Sequence, residues 1–139
     1  MVGQSITANF PQGFPDAAIK IQEEFVERRN EVSNAKDPEV LFSPYLCNDI
    51  FATYFACLEV SEISDVPEGM IGFQLPSLTY AKINCTTRSI DKAYGKIFEW
   101  IHEHGYKQKF LDRSCPMEIY YLEDNAEEED VEILIPVIV

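Results

Sequence analysis

The apolar positions along this chain change their period several times. SITANF alternates and runs into PQGFP, the pattern of a short strand that ends in a turn. In DAAIKIQEEFVERRNEV, Ala17, Ala18, Ile21 and Phe25 fall on one face, with Pro15 and Asp16 as start signals, so the stretch predicts an amphipathic helix. VLFSPYL and IFATYFACLEV, parted by the turn at CND, carry the β-branched and aromatic residues of two paired strands, and Pro44 assigns the former to an edge or a bend. Beyond the connector EISDVPEGM, GFQLPSLTYAKINCT returns to strand character with a break at Pro76. RSIDKAYGKIFEWIHEHGY then sets Tyr94, Ile97, Phe98 and Ile101 at helical spacing, between Ser89 as an N-cap and Gly105 as a stop. PMEIYYLE and DVEILIPVIV read as a hairpin across an acidic turn.

Written as elements, the chain is strand, helix, strand, strand, followed by the same series again. The two units span residues 1–62 and 70–139 of a single domain, 1–139. Phe25 and Phe98, one in each helix, are 73 residues apart, close to the offset between SITANF and LTYAKI. The pattern repeats although the residues do not. Two such units joined through their strands predict an α+β fold: one antiparallel sheet, both helices on one face, and a pseudo-twofold axis between the halves.

A sheet covered on one side shows its chemistry on the other. In PMEIYYLE, a period of two separates Met117, Ile119 and Tyr121 from Glu118, Tyr120 and Leu122, and the first set is apolar enough to lie under a helix. Glu118 and Tyr120 are then expected on the helix-free face. The same reasoning groups Tyr54 with Ala56 and Leu58, and sets Tyr80 and Lys82 opposite Ala81 and Ile83. Several tyrosines around one glutamate suit a cation, since aromatic walls attract it through their quadrupoles and the carboxylate supplies counter-charge.

Composition narrows the partners. With 24 acids against 11 bases the formal charge is −13, and a phosphate backbone would be repelled, so no direct contact with nucleic acid is expected. The N-terminus has no basic and apolar leader, and no apolar run of about 18 residues could cross a bilayer, which points to a cytoplasmic protein without membrane contact. Cys47, Cys57, Cys85 and Cys115 form no Cys-x-x-Cys pair, and His102 and His104 point apart on a helix, so neither metal nor cofactor is expected. No nucleophile elbow, phosphate-cradling loop or zinc-protease pair occurs.

GFQLPSLTYAKINCT, AYGKIFEWIHEHGY, PMEIYYLE and VEILIPV, in this order and spacing, resemble segments of the GyrI-like small-molecule-binding domains, which include the gyrase-inhibitor protein and the effector domains of multidrug-sensing transcription activators. The resemblance runs from about Met70 to Val139 and rests, in the first half, on LFSPYL and ATYFACLEV. It implies a ligand cleft at the junction of the two units, with Glu118 reaching into an aromatic pocket that takes cationic, lipophilic drugs. Family members that regulate transcription carry a helix-turn-helix module ahead of this domain. Here strand character begins within the first ten residues, so a stand-alone effector domain is expected.

Three functions follow from the resemblance. The first is a binding module for cationic amphipathic aromatic compounds, with Glu118 as counter-charge, Tyr54, Tyr80 and Tyr120 as walls, and Phe73 and Trp100 as further lining. The second is hydrolysis of cyclopropane-bearing genotoxic compounds in the same cleft, with Glu118 as base and Tyr54 or Tyr80 as hydrogen-bond donor. The third is interaction with another protein, gyrase or a separate regulator, with the EEED run imitating phosphate charge.

Overall fold

The computed structural model describes residues 1–110, 113–124 and 127–139. The first unit comprises β1 (Val2–Asn9), α1 (Asp16–Arg28, followed by a 3-10 turn at Arg29–Glu31), β2 (Val40–Cys47) and β3 (Phe51–Leu58). A two-residue strand, β4 (Ile71–Gly72), precedes the second unit: β5 (Tyr80–Thr86), α2 (Ile90–Glu103), the two-residue β6 (Lys107–Gln108), β7 (Met117–Tyr121) and β8 (Asp130–Ile138). The sheet is antiparallel throughout, in the order β4-β1-β3-β2-β7-β8-β5, with β6 paired to the end of β8. Each unit supplies three neighbours, β1-β3-β2 and β5-β8-β7, so the pseudo-twofold axis runs through the central β2–β7 pair. β4 and β6 were not anticipated, and the middle of the acidic turn, residues 125 and 126, lies outside the described residues.

Both helices lie on one face, α1 over β1 and β3 and α2 over β5 and β8. One core gathers Ile21 and Phe25 of α1 with Leu41, Tyr54, Ala56, Leu58, Tyr120 and Val131; the other gathers Ala93, Ile97 and Ile101 of α2 with Ala81, Ile133, Ile135 and Val137. Glu118 is cross-strand to Ser43 and Ile133, which puts it on this same face. For β3 and β7 the expected assignment of faces is therefore reversed, whereas on β5 Ala81 and Ile83 lie on the helix side with Tyr80 and Lys82 opposite, as expected. Glu118, Tyr120 and Tyr54 point to the helix side, and Met117, Ile119 and Tyr121 point away from it. Period-two alternation separated the two sets correctly, but the helices cover the outer strands and leave β2 and β7 between them. A central strand can thus carry a carboxylate toward the helices without lying under one.

Pro44 also falls elsewhere than expected, in a central strand. It has no N–H to donate, and the pairing of β2 with β3 lapses at Ser43 and Pro44 before resuming at Tyr45. Gly105, with φ of 75°, ends α2 as expected, and the amide of Tyr106 returns to the carbonyl of Ile101. Ser89 stands at the start of α2, but its hydroxyl accepts the amide of Thr86 rather than an amide of the helix.

The duplication is more regular than the phenylalanine spacing suggested. The buried helix positions Ala17, Ile21 and Phe25 recur as Ala93, Ile97 and Ile101, each 76 residues on. Phe25 is wholly buried, whereas Phe98 is 41% exposed, so the two are not counterparts. Phe25→Ala should cost about 3–5 kcal/mol in chemical denaturation and Phe98→Ala less than about 1 kcal/mol. Equal costs would restore the 73-residue correspondence.

Candidate functional site

Between α1 and α2, above the central strands, lies a cleft of about 780 Å³. Its floor is polar at one point and aromatic around it. β7 delivers Glu118 and Tyr120, β3 delivers Tyr54, β2 delivers Tyr45, and α2 contributes Tyr94 and Phe98. The loop between β1 and α1 closes one end with Phe10 and Phe14, and α1 adds Ala18, Ile19 and Gln22.

Glu118 is 8% exposed and accepts three phenolic hydrogen bonds. The hydroxyls of Tyr54 and Tyr120 donate to Oε1 at 2.5 and 2.7 Å, and that of Tyr94 donates to Oε2 at 2.5 Å. The amide nitrogen of Gln22 in turn donates to the Tyr54 hydroxyl at 3.1 Å. The rings support one another: Tyr45 stacks on Tyr54 with centroids 6.3 Å apart, Tyr94 on Phe98 at 6.2 Å, and Phe14 tilts against Tyr54 at 6.4 Å. Among the described residues no lysine, arginine or histidine forms an ion pair with Glu118. Its three donors are neutral.

Of the residues expected at the site, the structure brings Glu118, Tyr54 and Tyr120 together. It sets the other three apart from them. Tyr80 is on the helix-free face opposite Pro136, because its neighbour Ala81 faces α2. Phe73 packs on Phe55 at 5.4 Å on that same face. Trp100 is 44% exposed and stacks on His104 and Tyr106, at 4.2 and 5.7 Å, away from the cleft. Tyr94, Tyr45, Phe10, Phe14 and Gln22 were not singled out. Tyr94 carried a readable signal, as the one member of its helix stripe with a hydroxyl that burial obliges to find a partner.

A family model described as Cass2, integron-associated effector binding protein, matches residues 2–137. The chain belongs to this family. Its membership agrees with the GyrI-like resemblance, since the matched family is one of effector-binding proteins. The transcriptional regulator BrlR of Pseudomonas aeruginosa strain PAO1 is 30% identical over 110 residues, which cover 76% of this chain and 39% of that protein. The chain thus spans well under half the length of that curated relative. The crystal structure of the EcmrR C-terminal domain superposes with a TM-score of 0.69 at 17% identity, covering 99% of this chain and 90% of that one. The structure of SAV2435 bound to tetraphenylphosphonium gives 0.71 at 17% identity, with 99% and 87% covered. At such identity the two structures establish a shared fold. No helix among the described residues of this family member is long and apolar enough to cross a membrane.

The network also sets the ionisation of its tyrosines. Tyr54, Tyr94 and Tyr120 have their pKa values raised, first by burial and then by the negative charge of Glu118; burial likewise raises Tyr45, against a lowering contact with Tyr94. Each is neutral in the folded chain at pH values where an unfolded tyrosine loses its proton. The stability they contribute is complete below about pH 10 and is lost as pH rises above it toward the folded values, by about 1.4 kcal/mol per pH unit for each such tyrosine. In an ultraviolet titration these four should stay protonated to about pH 11 and ionise only on unfolding, joined at that pH by Tyr121, which its hydrogen bond to Glu132 pushes up to about 12, so that at least five of the seven tyrosines are late. Smooth ionisation of all seven in the folded protein would contradict the network.

Proposed function

We propose that the chain binds cationic, amphipathic aromatic molecules in the cleft between α1 and α2, with Glu118 as their counter-charge. The observation that carries this reading is a carboxylate buried at the bottom of an aromatic cleft and held by phenols alone. Removing a carboxylate from water costs several kcal/mol, and three neutral donors offset that cost while leaving the charge itself unpaired. A cation entering the cleft would pair it and stack on Phe14, Tyr45, Tyr54 or Phe98. The cleft volume is in the range of small-molecule pockets. Membership in an effector-binding family and the tetraphenylphosphonium on SAV2435 support the same class of ligand.

The hydrogen-bond inventory narrows that class. A carboxylate has about four acceptor positions, and three are already taken. A primary ammonium, with three donors to satisfy, would find at most one free acceptor. A phosphonium, a quaternary ammonium or a dye with delocalised charge needs none, and gains the field of the carboxylate at full strength.

Fluorescence titration with a flat cationic dye, followed by its displacement with tetraphenylphosphonium, tests the reading. Glu118→Gln, which keeps the shape of the side chain and an acceptor oxygen, should weaken both cations at least about tenfold, a change of ~1.4 kcal/mol, with the circular dichroism of the fold unchanged. A primary amine of similar aromatic bulk should bind less tightly than the quaternary cation. Equal affinity of wild type and Glu118→Gln would remove Glu118 from the site.

A further inference from the structure

The acidic run of the β7–β8 turn is tied to the rim of the cleft. The Thr86 hydroxyl donates to Glu128, the amide of Thr87 donates to the carbonyl of Glu129 at 3.0 Å, and the amide of Glu129 donates to the Thr87 hydroxyl at 3.2 Å. These bonds pin the turn to the connection between β5 and α2. That connection carries Arg88, the one basic residue among the described residues that line the cleft. Its guanidinium lies 3.4 Å from Glu127 and 3.9 Å from Glu128, with the side chain 64% exposed.

Arg88 is a hazard to a cation site. An arginine side chain is long and rotatable, its fork matches a carboxylate, and a buried carboxylate without a cation attracts it strongly. The outcome of such a capture is visible on the other face of the same sheet. There Glu132 accepts a hydrogen bond from Tyr121, much as Glu118 does from its tyrosines, and Lys82 Nζ sits 2.8 Å from its carboxylate. The cation position of that carboxylate–tyrosine pair is filled by the chain itself.

We propose that Glu127 and Glu128 are positioning residues that hold the Arg88 guanidinium at the rim, off the Glu118 carboxylate, and so keep the cleft open to an external cation. The proposal deepens the reading of the cleft as a cation site and rests on it. The EEED run then acts on specificity: with Arg88 neutralised by two acids, the rim offers little to an anionic ligand, and the one basic side chain among the described residues of the lining is engaged.

The test measures tetraphenylphosphonium affinity in about 0.01 M salt, where a screening length of roughly 30 Å leaves the exposed pairs of Arg88 in force. Glu127→Gln with Glu128→Gln should weaken binding about tenfold, and adding Arg88→Gln to that pair should return it to within about twofold of wild type. Weakening without rescue would mean that the two acids act by their own charge, and no weakening would mean that Arg88 is no competitor; either overturns the proposal. Failure of the wild type to bind, or equal affinity of Glu118→Gln, strikes the cation-site reading itself. A second measurement then decides the positioning role without ligand: denaturation cycles of Arg88→Gln and Glu118→Gln, alone and together, in the wild-type and Glu127→Gln, Glu128→Gln backgrounds. Coupling between Arg88 and Glu118 that emerges only when the acids are removed supports the proposal. The same coupling in both backgrounds overturns it.

Discussion

A carboxylate cannot be taken out of water without groups that replace its hydration, and Glu118 obtains them from three places at once. Tyr54 comes from the first unit, Tyr120 from the same strand as Glu118, and Tyr94 from the helix of the second unit. The need to satisfy one charge therefore sets how β2, β3, β7 and α2 stand around the cleft. Gln22 extends the requirement to α1 through the Tyr54 hydroxyl. Apolar packing forms two cores, one beneath each helix, that share Cys85 and Ile90 at their border, and the polar network spans the same junction.

The two faces of the sheet solve the same electrostatic problem differently. On the helix-free face Glu132 is paired by Lys82 and Tyr121, and its pKa is lowered, the hydrogen bonds from Lys82 and Tyr121 and the lysine charge outweighing partial burial. On the helix side the tyrosines remain but, among the described residues, the lysine has no equivalent. A cleft with hydroxyls alone would suit neutral polar ligands, and a carboxylate with its own lysine would be an inert strut. The combination present here leaves a charge in a low-dielectric aromatic setting, where an ion of opposite sign gains most.

Much of this was legible from residue order. The strand-helix-strand-strand repeat, the antiparallel sheet and the grouping of Glu118 with Tyr120 and Tyr54 follow from periods of 2.0 and 3.6 and from turn residues. Which side of the sheet that group faces was not legible. Met117, Ile119 and Tyr121 form as apolar a set as any helix-covered one, and alternation is silent about where helices sit across the sheet. Pro44 misled for a related reason, since a missing donor implies a break in pairing but not which strand has it. Tyr80, Phe73 and Trp100 are aromatic residues of the right kind that tertiary packing sends elsewhere, the first two to the helix-free face and Trp100 to the outer side of α2. Composition alone could not separate them from Tyr45 and Tyr94, which meet Glu118 only through tertiary packing. The EEED run read as an acidic turn imitating phosphate charge, and its contact with Arg88 depends on pairing β5 with β8.

The pseudo-twofold axis passes through the floor of the cleft, so the cleft is a joint between two similar halves rather than a hole within one. The β2–β7 pair runs for five residues, Val40–Pro44 against Met117–Tyr121, and is the central strand seam between the halves, beside the two-residue β1–β4 pairing at the sheet edge. Whatever fills the space above that seam touches α1 on one side and α2 on the other. A single occupant would therefore tie together two halves that the strands join chiefly along that one seam.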